Sequence, residues 1–150
     1  MNIAFFMQPK ATVAYLYSDF TIRQALEKMH HHGYSAIPVI NRDGTYAGTV
    51  SEGDFLWYIV QGEGDTPRTI GIEELENLKL SDISYTSNRN PAVSIAANID
   101  ELLMRAMNQN FIPIVDDRGS FIGIVTRKAV IKYFYDNTLN GGVADLDDSK

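Results

Sequence analysis

The chain has 150 residues, 45% hydrophobic and 21% charged, long enough to bury a sizeable core as one domain or as two small halves sharing one. Its net charge is −6, from 13 Lys and Arg against 19 Asp and Glu, and no long basic stripe appears, so the electrostatic footprint of a duplex-binding protein is missing. The absence of cysteine excludes disulfides, zinc-thiolate sites and thiol nucleophiles.

Met1 to Lys10 is a short apolar stretch with no basic residue ahead of it, and no window reaches the roughly 18 uninterrupted apolar residues of a membrane helix. Neither an export signal nor a membrane span is read, and the cytoplasm is the expected compartment. Ile22, Ala25, Leu26 and Met29 recur at helical spacing, and Thr21 with Gln24 stands where a capping box starts the helix. His30, His31 and His32 follow; consecutive helical side chains point about 100° apart, so the triplet cannot converge on one metal, and no metal site is expected. Ser35 to Ile40 and Thr45 to Val50 read as strands joined by Asn41-Arg42-Asp43-Gly44, whose glycine supplies the positive φ of a tight hairpin. Pro38 predicts an edge position or a strand start, because proline donates no ladder hydrogen bond. Phe55 to Val60 closes this half as an apolar, aromatic helix. Gln61 to Thr69 reads as a loop and Ile72 to Leu78 as a short helix.

The same order then recurs. Ile99, Leu102, Leu103 and Ala106 form a helical face behind Asn98 and Glu101, Pro113 sits in a strand, Asp116-Asp117-Arg118-Gly119 makes the turn, and Ala129 to Tyr135 forms the closing helix. From Ile37-Pro38-Val39 to Ile112-Pro113-Ile114, and on through Gly44, Gly48 and Val50 to Gly119, Gly123 and Val125, the offset is constant at 75. The preceding helices repeat at 77, so the second copy is two residues shorter between helix and strand. The organisation expected is a first motif over 1–62, a linker over 63–80, a second motif over 81–138 and a disordered acidic tail over 139–150. One such unit cannot bury its own apolar face; two facing copies can, and they leave two similar clefts between them.

Ser51-Glu52-Gly53-Asp54 is the most suggestive constellation: a hydroxyl at a strand end, then a carboxylate in the first turn of a helix. A helix N-terminus attracts phosphate, and the aspartate suits a vicinal diol, although Ser-x-x-Asp is also a capping-box variant. Thr126-Arg127-Lys128-Ala129 keeps the hydroxyl, loses the carboxylate and gains two cations, which either attract phosphate or face water. Trp57 and the run Tyr133-Phe134-Tyr135 read as core or dimer contacts. No nucleophile with a base, no paired carboxylates and no Gly-rich phosphate loop can be assembled, so an enzyme is not expected.

These residues resemble a tandem pair of CBS (cystathionine beta-synthase) domains, of the stand-alone bacterial type. The resemblance rests on the repeated helix, on Tyr34-Ser35-Ala36-Ile37-Pro38-Val39-Ile40 with Asn110-Phe111-Ile112-Pro113-Ile114-Val115-Asp116, and on Gly48-Thr49-Val50-Ser51 with Gly123-Ile124-Val125-Thr126. It implies a mixed α/β (α+β) fold, two motifs in pseudo-twofold symmetry with a short three-stranded sheet each, and frequent dimerisation into a flat disc. It further implies clefts that bind adenosine-containing ligands, with no obligatory cofactor. Carried onto this chain, Ser51, Asp54 and Thr49 would face Ala92, Val93, Gln109 and Asn110 in one cleft. Ile124, Thr126 and Arg127 would face Val13, Ala14, Tyr34 and Ser35 in the other. Because Ala129 replaces the aspartate there, the Asp54 cleft is the expected mononucleotide site. The function so implied is sensing of an AMP-, ADP- or ATP-like nucleotide, signalled to an unidentified protein partner through a homodimer. The alternatives are a cyclic di-AMP receptor, which the Arg127-Lys128 pair would suit, and an interaction module with no small ligand.

Overall fold

The computed structural model describes residues 2–61, 71–83 and 90–138. The predicted linker loop and acidic tail fall largely or wholly outside them. In chain order the elements are β1 (Gln8–Pro9), β2 (Leu16–Tyr17), α1 (Ile22–His32), β3 (Ala36–Ile40), β4 (Tyr46–Ser51), α2 (Glu52–Gln61), α3 (Ile72–Leu75), β5 (Val93–Ser94), α4 (Ile99–Asn108), β6 (Phe111–Val115), β7 (Phe121–Thr126) and α5 (Arg127–Asn137).

The start signals act as the sequence predicts. Thr21 Oγ1 accepts from the Gln24 amide while Gln24 Oε1 accepts from the Thr21 amide at 2.9 Å, which closes the capping box of α1. Asn98 accepts from the Glu101 amide at the head of α4. Gly44 and Gly119 hold φ of 93° and 80°, so both hairpins turn through backbone that only glycine adopts without strain. α2 and α5 each begin two or three residues earlier than their apolar runs, because the hydroxyl caps lie at Ser51 and Thr126.

Two sheets result, ordered β2-β3-β4 and β1-β7-β6-β5. Pro38 and Pro113 therefore stand in central strands, not at the edges that proline predicts. The reason is the shortness of the neighbours. β2 pairs only with Val39 and Ile40, and β5 only with Ile114 and Val115, so beside each proline the strand has a partner on one side alone. The Glu52 amide donates to the Ser35 carbonyl, a register that turns the Pro38 nitrogen away from β4, where no donor is required.

The halves exchange their leading segments. Ile3 and Phe6 are buried in the second core with Val93, Leu102, Ile112, Val125 and Val130, and β1 adds to that sheet antiparallel to β7. Conversely Leu80 and Ile83, which answer to Ile3 and Phe6 at the offset of 77, are buried in the first core with Leu16, Ile22, Met29 and Ile37. Backbone bonds from Leu80 to the Phe20 carbonyl and from Ile22 to the Leu78 carbonyl fix the second exchange. Residues 3–9 lead the first motif in sequence yet serve the second half in space. The hairpin tips join across the pseudo-twofold: the Tyr46 amide donates to the Gly119 carbonyl at 3.1 Å and the Phe121 amide to the Gly44 carbonyl at 2.9 Å.

Chain ends ordinarily tolerate substitution, but Ile3 is fully buried. Ile3→Ala is expected to lower unfolding free energy by about 2 to 5 kcal/mol, the cost of truncating a core side chain. Urea denaturation checks this, and an unchanged midpoint would show that the N-terminal arm is dispensable.

Candidate functional site

The two inter-sheet clefts that the repeat predicts are built from the same elements but differ in what fills them. The first-half cleft residues begin at the β4–α2 junction. Ser51 N–H donates to Asp54 Oδ2 at 2.7 Å, the Ser51 hydroxyl donates to the same oxygen at 3.1 Å, and the Asp54 amide donates to Ser51 Oγ at 3.3 Å. This is a closed capping box, the structural alternative the motif carried from the start. Thr49 is buried and its hydroxyl lies 2.7 Å from the Tyr46 phenol oxygen. The Tyr46 hydroxyl also donates to the Asn90 carbonyl at 2.7 Å. Val93 is buried in the second core, and Ala92 is half-buried beside it.

Gln109, predicted to face a ligand, is 4% exposed, and its side-chain amide donates to the carbonyls of Pro91 and Phe111, both at 3.3 Å. Its place follows from the two residues missing after α4. α1 ends in a left-handed Gly33 at φ 69°, whose amide returns to the carbonyls of His30 and Met29, and this extra turn carries Tyr34 outward. α4 has no such glycine and passes straight into extended Gln109. Its open carbonyls are met instead by Arg127, whose Nε donates to Ala106 O at 2.7 Å and to Gln109 O at 3.1 Å. Arg127, predicted as a phosphate ligand, thus caps a helix.

The other cleft holds a cavity. A cavity of about 350 Å³ lies between the halves, lined by Gln8, Val13, Ala14, Tyr34, Ala36 and Pro38 on one side and Asn110, Phe111, Ile124 and Thr126 on the other. Val13, Ala14, Tyr34, Ile124 and Thr126 come together there as the sequence expects. Asn110, assigned by sequence to the Asp54 cleft, belongs to this lining as well. Ser35 does not line it; its carbonyl receives the Glu52 amide at 2.9 Å. Tyr34 is 42% exposed at the rim, its ring stacked on His32 at 5.4 Å. Thr126 Oγ1 accepts from the Ala129 amide at 3.1 Å, which opens α5 at the cavity's edge. Sequence reasoning missed Gln8, Ala36, Pro38 and Phe111. Gln8 arrives only through the exchanged arm, whose one signal in the sequence is the echo of Ile3 and Phe6 in Leu80 and Ile83.

Burial drives the Tyr46 phenol up to about 12, because the phenolate would lose its solvation; the bond from Thr49 opposes this more weakly. Among the described residues no three His, Asp or Glu side chains group as metal ligands, and no helix is long and apolar enough to cross a membrane.

A tandem motif of this kind, two sheet-and-helix units with exchanged leading segments and a cleft at their junction, defines the CBS-pair class. The CBS domain model matches residues 6–61 and 80–136, and the chain belongs to that family of regulatory ligand-binding modules. Over 116 residues it is 28% identical to a CBS domain-containing protein of Dictyostelium discoideum, with 75% of this chain and 78% of that one covered. The CbpB protein of Listeria monocytogenes in complex with c-di-AMP superposes with a TM-score of 0.75 at 27% identity, covering 89% of this chain and 95% of that one. A further CbpB–c-di-AMP complex shares the fold at 20% identity with a TM-score of 0.76, over 100% of this chain and 91% of that one.

Two outcomes test these assignments. Arg127→Ala is expected to cost about 1 to 3 kcal/mol in thermal or urea unfolding, the range for a charged donor lost from buried acceptors; an unaffected stability would return Arg127 to the surface. Tyr46 has a raised folded-state pKa, so its contribution is full below about pH 10, the unfolded value, and is lost as pH rises toward about 12. The fall should approach about 2 to 3 kcal/mol, and Tyr46→Phe should flatten it.

Proposed function

We propose that this protein is a regulatory sensor that binds an adenosine-containing nucleotide in the open cleft between its halves and signals through a change in shape or self-association. The observation that carries this reading is the cavity itself. Its volume of about 350 Å³ lies within the range of small-molecule sites. Val13, Ala14, Ala36, Pro38, Phe111 and Ile124 give it apolar walls for a flat base, and Gln8, Tyr34, Asn110 and Thr126 supply polar groups at its margin. No acidic side chain lines it, and the first turn of α5 at Thr126 offers the positive end of a helix dipole to a phosphate.

The Listeria monocytogenes CbpB complex supports a second reading, in which the nucleotide is cyclic di-AMP. A homodimer fits either. Met104, Met107, Ile131 and Tyr135 are each at least 60% exposed along α4 and α5, and Leu56 and Trp57 on α2 are similarly exposed, apolar side chains that self-association would cover. Ligand occupancy would act on a partner protein only through a difference in affinity between two arrangements of that dimer.

Calorimetric titration with AMP, ATP and cyclic di-AMP tests the proposal and separates the readings. Ala36→Phe, which copies the residue at the equivalent place in the second half, fills the cavity from β3 and is expected to weaken binding at least tenfold. Retained affinity in a folded Ala36→Phe protein would move the site elsewhere. Absence of binding to any of the three, with self-association intact, would favour a ligand-free interaction module.

A further inference from the structure

The repeat makes the two clefts comparable position by position. At the offset of 75, Tyr34 answers to Gln109, Tyr46 to Phe121 and Thr49 to Ile124; at 77, Val13 answers to Asn90 and Ala14 to Pro91. In the open cleft, the carbonyls of Val13 and Ala14 receive no hydrogen bond from any described residue, and Tyr34 stands at the rim. In the Asp54 cleft the same backbone positions are already served. The Tyr46 hydroxyl donates to the Asn90 carbonyl, and the Gln109 side-chain amide donates to the Pro91 carbonyl and, two residues along its own chain, to that of Phe111. The hydroxyl of Thr49 is engaged by Tyr46 as well, and Asp54 holds the Ser51 box.

We infer that Gln109 and Tyr46 are built-in occupants of the Asp54 cleft, so that the chain takes one nucleotide, beside Tyr34 and Thr126, and not two. This rests on the nucleotide reading above. The chemistry is that of substitution: a carboxamide NH2 and a phenol O–H supply the donors that a ligand's amino group and hydroxyls would otherwise bring. Any ligand entering there must first displace these donors and leave the buried Gln109 and Thr49 side chains without their partners. Both occupants trace to breaks in the repeat. Phe121 lacks the hydroxyl that Tyr46 carries, and the two residues absent after α4 draw Gln109 inward while their presence after α1 holds Tyr34 out.

Titration of wild type with AMP, ATP and cyclic di-AMP, each separately, should give one site per chain for the nucleotide that binds. The double variant Tyr46→Phe/Gln109→Ala should give two, with the original site unaltered, and the milder Tyr46→Phe alone should already reveal a weak second site if the double variant does not fold. Two sites in wild type, or one in the folded variants, overturns the inference while leaving the nucleotide reading intact. A wild type that binds none of the three removes the nucleotide reading instead. In that event hydrogen exchange still decides whether the cleft is plugged: the Gln109 side-chain amide should exchange at least tenfold more slowly than those of exposed glutamines, and exchange at the same rate defeats the proposal.

Discussion

The structure depends first on the exchange of apolar arms between its halves. Ile3 and Phe6 complete the second core, and Leu80 and Ile83 complete the first. Each sheet is covered on one face by its own helices and still lacks apolar neighbours, and the deficit is made up by the segment that leads the other copy. Neither half is therefore a closed hydrophobic unit, and the cooperative entity is the pair. The exchange also places β1 against β7, where Gly123 is obligatory. A Cβ there would lie 2.3 Å from the Gln8 carbonyl, well inside any van der Waals contact.

Once the arms are crossed, the positions of the clefts follow. The hairpin tips meet through the paired bonds of Tyr46 with Gly119 and Phe121 with Gly44, and the rings of Tyr46 and Phe121 stack at 6.4 Å beside them. This joint fixes the distance between the sheets. The prolines then decide what the sheets expose: because β2 and β5 stop short of Pro38 and Pro113, each central strand has a stretch of unpaired edge turned toward the gap. A strand order that looks closed on paper thus leaves a groove, and Ala36 and Pro38 line it.

Much of this was legible in the sequence. The helical stripes at Ile22 and Ile99, the caps at Thr21 and Asn98, and the Asp-Gly and Arg-Gly turns are local, and local chemistry fixes them whatever the chain does elsewhere. The repeat itself was legible, and with it the expectation of two clefts. Arg127 and Gln109 were not readable in the same way. Their side chains look like ligands to a nucleotide when viewed by motif position, yet one caps α4 and the other bonds the half-buried carbonyls of Pro91 and Phe111. Both outcomes depend on whether the link after α4 contains the two residues that let α1 end in a glycine turn.

Ser51 and Asp54 mark the boundary between the two kinds of knowledge. The sequence by itself determined that a hydroxyl and a carboxylate three residues apart would meet at a helix start, since capping geometry is local. It also determined that Thr126 would have no such partner. Only the tertiary structure decided how each cleft is lined, because that turns on contacts between segments far apart in the chain: Gln8 reaching β7 through an exchanged arm, Tyr46 reaching Asn90, and Gln109 reaching Pro91. A side chain's hydrogen-bonding capacity is written in its type, but whether that capacity is spent within the protein depends on which distant carbonyls the fold brings within about 3 Å.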